Sequence, residues 1–311
     1  MTNNQKGIAY AVVTAFFWGF LAIFLKIAVQ EVAPQTIVWF RFIVAFALLA
    51  SWQLIKHPKS LRILIRPPRL LVLAAIGLSW NYLGFMLGIH YTSPSNAQLV
   101  IQTGPILLVL ASVIFFKEKI RKMQLLGFFI AAVGFVFFYS QQIKLMIGQE
   151  SQYNMGVLLT FSGALAWATY AVMQKRLVLS HATGTLNLFL FGFPAIIYLP
   201  FVDFAPLLEL SWIWWAILIF LGVNTLVAYS CLAQALRYTQ ANKVSIIVIL
   251  NPMITFAVMG IVTKMNVSWI EAERFSLLSF LGAIIILAGA VLVVGRKKSK
   301  PTVEKTNEGR L

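Results

Sequence analysis

Arg41 stands about five residues inside an apolar run, roughly 8 Å deep at the 1.5 Å rise of a helix, where a guanidinium can meet a carboxylate or phosphate in a two-pronged pair. The alternatives are snorkelling back to an interface or a pair with Glu31. Lys26 and His90 lie near the ends of neighbouring runs and read as an interfacial anchor and as a solvated or hydrogen-bonded ring. Amides form a second group of candidates. Asn81, Gln98 and Gln102 would be costly against hydrocarbon, so they face protein or water, and Asn251 sits beside Pro252 at similar depth. Trp18 and Trp167, away from the belt where tryptophan usually sits, either pack a core or stack on a substrate, and Tyr82 and Tyr229 carry the same two readings. Pro105 and Pro252 deny a hydrogen bond to the carbonyls of Ile101 and Val248, so each reads as a hinge or a static kink.

Equally informative is what the apolar runs lack. No Asp or Glu lies inside any of them, which argues against a proton-carrying carboxylate in the hydrocarbon. His57, His90 and His181 are far apart, and there is no metal-ligand spacing, Ser/Lys or Cys/His arrangement or glycine-rich phosphate loop. The expectation is therefore a non-enzyme with no catalytic residues, no metal and no cofactor.

These residues are carried by a bilayer chain. Of its residues 60% are hydrophobic and 11% charged, and mean hydropathy is +0.86. Crossing a hydrocarbon core of roughly 30 Å takes about 20 helical residues. Ten stretches of that order occur, near 7–27, 36–55, 70–90, 95–115, 123–141, 156–174, 185–202, 212–235, 243–263 and 277–295. They are continuously apolar, without the alternation of a membrane barrel. Cys231 stands alone and allows no internal disulfide. The net charge of +16 is a topology signal and no sign of nucleic acid. With both termini cytoplasmic, twenty of the basic residues face the cytoplasm and only Lys144, Lys264 and Arg274 face outward, as the positive-inside rule requires. Membrane lipid is thus an expected partner.

The ten stretches repeat as two fives. Residues 7–26 align without a gap on 156–175, matching Gly7 with Gly156, Trp18 with Trp167 and Lys26 with Lys175. Tyr82 matches Tyr229 and Pro105 matches Pro252 at an offset of 147, while Gly127 and Gly134 match Gly282 and Gly289 at 155. An odd number of spans per copy makes the second enter from the opposite side, the construction of secondary transporters. The expected organisation is a first five-helix repeat at 1–142, an external connection at 143–155, an inverted second repeat at 156–295 and a basic cytoplasmic tail at 296–311.

Repeat-matched faces place the candidates together. Gly77, Asn81, Gly84 and Gly88 share one face of the third span, matched by Asn224, Ala228, Cys231 and Ala235 in the eighth. Gln98, Gln102 and Pro105 share a face of the fourth, matched by Ser245, Ile249 and Pro252 in the ninth. A substrate cavity and plain interhelical packing both fit such faces. The glycine faces of the fifth and tenth spans can pack within a monomer or between two chains, leaving monomer and homodimer both open.

With these positions assembled, the chain resembles the EamA-type transporters of the drug/metabolite transporter superfamily over residues 7 to 295. The resemblance is carried by Phe17-Trp18-Gly19, Tyr91-Thr92, Gly104-Pro105, Phe116-Lys117-Glu118-Lys119, and Gly127 with Gly134. The second copy departs from the pattern at Met265, the counterpart of Glu118, where an acid is common, and in the longer stretch from Asn266 to Arg274. The resemblance implies an all-α integral membrane protein of the inner membrane that exports small organic solutes or facilitates their movement, among them amino acids and related metabolites. It also implies a central cavity lined mainly by spans 1, 3, 4, 6, 8 and 9. Candidate substrate contacts are Trp18, Arg41, Asn81, Tyr82, Gln98, Gln102, Trp167, Asn224, Tyr229, Ser245 and Asn251, with Pro105 and Pro252 as hinges. The competing expectation is a lipid or lipid-linked flippase, which wants a lateral opening and a basic headgroup pocket.

Overall fold

A computed structural model describes residues 1–92, 94–140, 151–265 and 276–294. Within them the regular structure is entirely helical, the form that satisfies every backbone group inside its own segment in lipid. The first repeat comprises α1 (Asn3–Ala28), α2 (Pro34–Lys56), α3 (Arg69–Tyr91), a membrane helix in two pieces, α4 (Pro94–Ile101) and α5 (Thr103–Phe116), and α6 (Lys122–Phe138). The second comprises α7 (Ser151–Leu177), α8 (Thr183–Tyr198), α9 (Trp212–Tyr238), a second two-piece helix, α10 (Ala241–Val248) and α11 (Asn251–Lys264), and α12 (Leu277–Val294). Counting each two-piece helix once, nine are long and apolar enough to cross a bilayer, and α6, a shorter apolar helix, is the tenth. The architecture is thus ten membrane helices as two inverted five-helix repeats.

Helix starts follow local chemistry. Thr2 and Gln5 form a reciprocal capping box at the start of α1, and Pro34 opens α2 where a missing N–H costs nothing. The segments expected at 143–150, 266–274 and 296–311 lie outside the described residues, and α7 already begins at Ser151.

The most extensive packing joins the repeats to each other. α3 lies along α7, α1 along α9, and α6 along α12. The first two are the same pairing seen from each copy, since α1 corresponds to α7 and α3 to α9. Small residues allow the approach. A methyl added at Gly127 would lie 2.7 Å from the Gly289 carbonyl oxygen, and one at Gly134 would lie 2.8 Å from that of Gly282. The two glycine faces are therefore consumed within one chain. The face holding Gly77, Gly84 and Gly88 is likewise pressed on α7, so most of it is packing, and only Asn81 of that set reaches a cavity.

Candidate functional site

Both two-piece helices break at equivalent places. Gln102 separates α4 from α5, and Ile249 and Leu250 separate α10 from α11; Gln102 and Ile249 are repeat counterparts. The prolines follow the breaks. Pro105 is the third residue of α5 and Pro252 the second of α11, where the first turn leaves N–H groups unbonded anyway. The kink expected at each proline is thus a short step in the helix, at which Gln102 and Ile249 keep right-handed helical backbone angles and tighter bonds join the two pieces, with a proline in the first turn of the second piece. Backbone interrupted at this depth is tolerated only where protein or a cavity surrounds it.

A cavity of about 80 Å³ lies against the breaks. Trp18, Arg41, Asn81, Tyr82, Gln98, Gln102, Pro105, Trp167, Tyr229 and Asn251 all line it. The apolar remainder of the wall comprises Ile101 and Val248, to whose carbonyls the prolines deny a hydrogen bond, and Leu21, Ala22 and Phe85, which the sequence reading did not single out as site residues. Leu21, Ala22, Phe85 and Gln98 occupy the halves of their helices remote from the N-terminal end of the bundle and Trp167, Tyr229, Val248 and Asn251 the halves nearer it, so the cavity sits about midway along the bundle.

Its aromatic wall is built from repeat counterparts. Trp18 meets Trp167 with centroids 6.0 Å apart and planes at 70°, and Tyr82 meets Tyr229 at 5.7 Å. Trp18 also lies 5.3 Å from Tyr229. A residue and its image under a two-fold axis can touch only if both are near that axis, so the cavity sits on the pseudo-two-fold. Tyr170, fully buried and 5.7 Å from Tyr229, backs this wall.

The polar wall is knotted across the repeats. Gln98 Nε2 donates to Asn251 Oδ1 at 2.8 Å and Gln102 Nε2 donates to the same oxygen at 3.2 Å. This joins the first break to the N-terminal end of α11. Gln102 Oε1 is buried without a partner, while Asn81 Nδ2 donates to the Gly163 carbonyl at 3.1 Å. Arg41 neither snorkels nor, among the described residues, pairs with a carboxylate. It is 3% exposed, its Nε donates to Thr225 Oγ1 at 3.2 Å, and its guanidinium lies 4.3 Å from the Tyr82 ring centre. Tyr82 donates to the same threonine oxygen at 3.4 Å.

Two expected substrate contacts stand elsewhere, and one of the two expected hinges lies off the cavity. Asn224 is wholly buried in the α1–α9 seam, its Nδ2 donating to the Phe17 carbonyl at 2.7 Å. Ser245 turns back to the Ala241 carbonyl at 2.9 Å. Pro252 is buried at the start of α11, off the cavity wall. Face periodicity identified inward-pointing positions correctly but does not say which inward neighbour each one meets.

Sequence reading also missed a polar cluster at the bundle end that carries the N-terminus. Lys117 ends α5 in a left-handed conformation, and its N–H and that of Glu118 both turn back on the Ser112 carbonyl. The turn aims Glu118 at the other repeat. Its two carboxylate oxygens accept from Ala241 N at 2.9 Å and Asn242 N at 3.2 Å, the first N–H groups of α10, where a negative charge also complements the helix dipole. Beside it Lys175 Nζ donates to the Leu236 and Thr239 carbonyls at the end of α9. Asn4 Oδ1 accepts from Thr239 Oγ1 and Lys243 Nζ. Glu118 and Asn4 belong to one repeat, and the groups that these two side chains bond here belong to the other.

Sequence comparison agrees with this geometry. The profile of the EamA-like transporter family matches residues 5–140 and 154–295, one match per repeat. The chain belongs to the EamA-like transporter family. Among its relatives are an uncharacterized transporter of Haemophilus influenzae, 31% identical over 94% of this chain and 95% of its own length, and an uncharacterized inner membrane transporter of Escherichia coli K12, YhbE, 32% identical over 92% and 90%. A solved crystal structure superposes with a TM-score of 0.75 over 93% of this chain and 97% of its own, at 17% identity, and shares the fold. The chain is thus a multi-pass membrane protein of a transporter family.

Proposed function

We propose that this protein moves small organic solutes, amino acids or related metabolites, across the inner membrane by alternating access, with both termini cytoplasmic. The observation that carries the reading is the cavity on the pseudo-two-fold axis, against the breaks of both interrupted helices. A site on that axis can be presented to either side by rocking one repeat against the other. In the orientation that the basic residues favour, the Glu118 cluster lies at the cytoplasmic end, where its contacts between the repeats would act as an inner latch. The unit is a monomer or a homodimer whose partners are the solute and membrane lipid. The inner-membrane assignment draws on YhbE.

Counterflow in proteoliposomes tests the reading. Vesicles preloaded with each amino acid or its metabolic relatives should take up the labelled compound faster than protein-free vesicles. Leakage at the protein-free rate for every solute would refute transport. Translocation of labelled lipid with no solute flux would put a flippase in its place.

A further inference from the structure

The cavity wall holds a permanent positive charge, and no apolar span contains an acid to oppose it. Arginine keeps its proton under any condition a cell offers, and an ion held away from water needs a partner. Thr225 and Tyr82 occupy the Nε edge and one face of Arg41. The terminal nitrogens carry the remaining donors, in the planar fork that matches a carboxylate. The second repeat offers no matching cation: the positions 147 and 149 residues on are Leu188 and Leu190. The site therefore breaks the symmetry of the fold, with a cation on one side only. Next to it lie the flat rings of Trp18, Trp167 and Tyr229, and Gln102 Oε1, a buried acceptor with no partner.

From this arrangement, and resting on the transport reading above, we propose that the cargo is a small organic monocarboxylate. Arg41 holds the carboxylate, the paired tryptophans hold the apolar or aromatic body, and Gln102 Oε1 accepts from an N–H or O–H group of the same molecule. The cargo supplies the counter-charge that the protein lacks.

The test compares acids with their amides on the purified full-length protein: phenylalanine, leucine, 3-phenyllactate and 3-phenylpropanoate against the primary amide of each, with dihexanoyl phosphatidate as a lipid-phosphate arm. Thermal stabilisation and quenching of tryptophan fluorescence report binding. Acids should stabilise and quench where amides do not, with affinity falling about 10- to 100-fold in Arg41→Gln, the range expected for hydrogen bonds to a charged group. Arg41→Lys, which keeps the charge and loses the fork, should fall between. If Arg41→Gln does not fold, the acid and amide arms on the unaltered protein decide alone. Equal responses to acid and amide, no response to any acid, or a response confined to the phosphatidate would each overturn the inference. Proteoliposome flux of the amides keeps the two ideas apart: amides carried while acids are ignored leaves solute transport standing and removes the carboxylate.

Discussion

Trp18 and Trp167, counterparts in the two repeats, meet edge to face 6.0 Å apart on the axis that relates those repeats. In the proposed rocking of the repeats this contact would have to shift, and the same rings wall the cavity. Replacing either with alanine should lower transport at least tenfold at unchanged expression, while phenylalanine, which keeps an edge-to-face ring, should keep a measurable fraction. An aromatic pair of this kind contributes about 0.5–1.5 kcal/mol beyond its buried area, so thermal stability should drop modestly beside the loss of flux. Flux preserved in both alanine variants would remove the rings from the transport path.

Asn251 is the keystone of the amide knot, since one oxygen accepts from two glutamines. Truncation to alanine strands both buried donors, at about 1–3 kcal/mol each. Gln102→Leu removes a donor together with an acceptor that has no partner, so it should cost less stability than Asn251→Ala while still depressing transport. Melting curves in detergent order the two, and the reverse order would mean that water already satisfies the glutamines.

How much of this site the sequence revealed depended on the repeat. Trp18, Trp167, Tyr82 and Tyr229 stood out because each has an identical counterpart, and counterparts near an axis meet. Tyr170 and Thr225 did not, because their counterparts are Leu21 and Leu78, so nothing in the alignment marks them. Arg41 was visible as a charge in an apolar run, but its setting on Tyr82 and Thr225 depends on how α2, α3 and α9 converge. The helix breaks were foreshadowed by the prolines, although the interruption precedes each proline and only Gln102 marks it with a polar side chain. Glu118 lay in a connecting turn, where periodicity carries no information about partners across the bundle.

The glycine faces predict a difference between packing and assembly. Gly127→Leu or Gly289→Leu forces side chains into the α6–α12 seam, and overpacking of a tight contact costs about 1–3 kcal/mol or more. The melting temperature should fall while the mass of the detergent-solubilised particle stays constant. A variant that keeps its melting temperature and changes its mass would place this face between chains.

Glu118 predicts how the two sides differ. Its carboxylate closes one end by capping α10, but the repeat counterpart of Glu118 is Met265 and that of Ala241 is Pro94, which has no N–H to offer. The matching positions of the opposite end therefore offer neither the acceptor nor the first donor of such a latch, and in the proposed alternating-access cycle this asymmetry should favour the state with the Glu118 end shut. Losing a charge at a helix N-terminus costs about 0.3–1 kcal/mol when exposed and up to about 2 when partly buried. Glu118→Ala should thus shift the ratio of the two states several-fold toward the one open at this end. A cysteine at Ser245, one turn inside the latched terminus and wholly buried here, reports the shift. In a Cys231→Ser background its alkylation should accelerate several-fold when Glu118 is replaced by alanine and stay closer to the unaltered rate with glutamine, which still offers one acceptor oxygen. Identical alkylation in all three would show that the cap stabilises α10 without holding the gate.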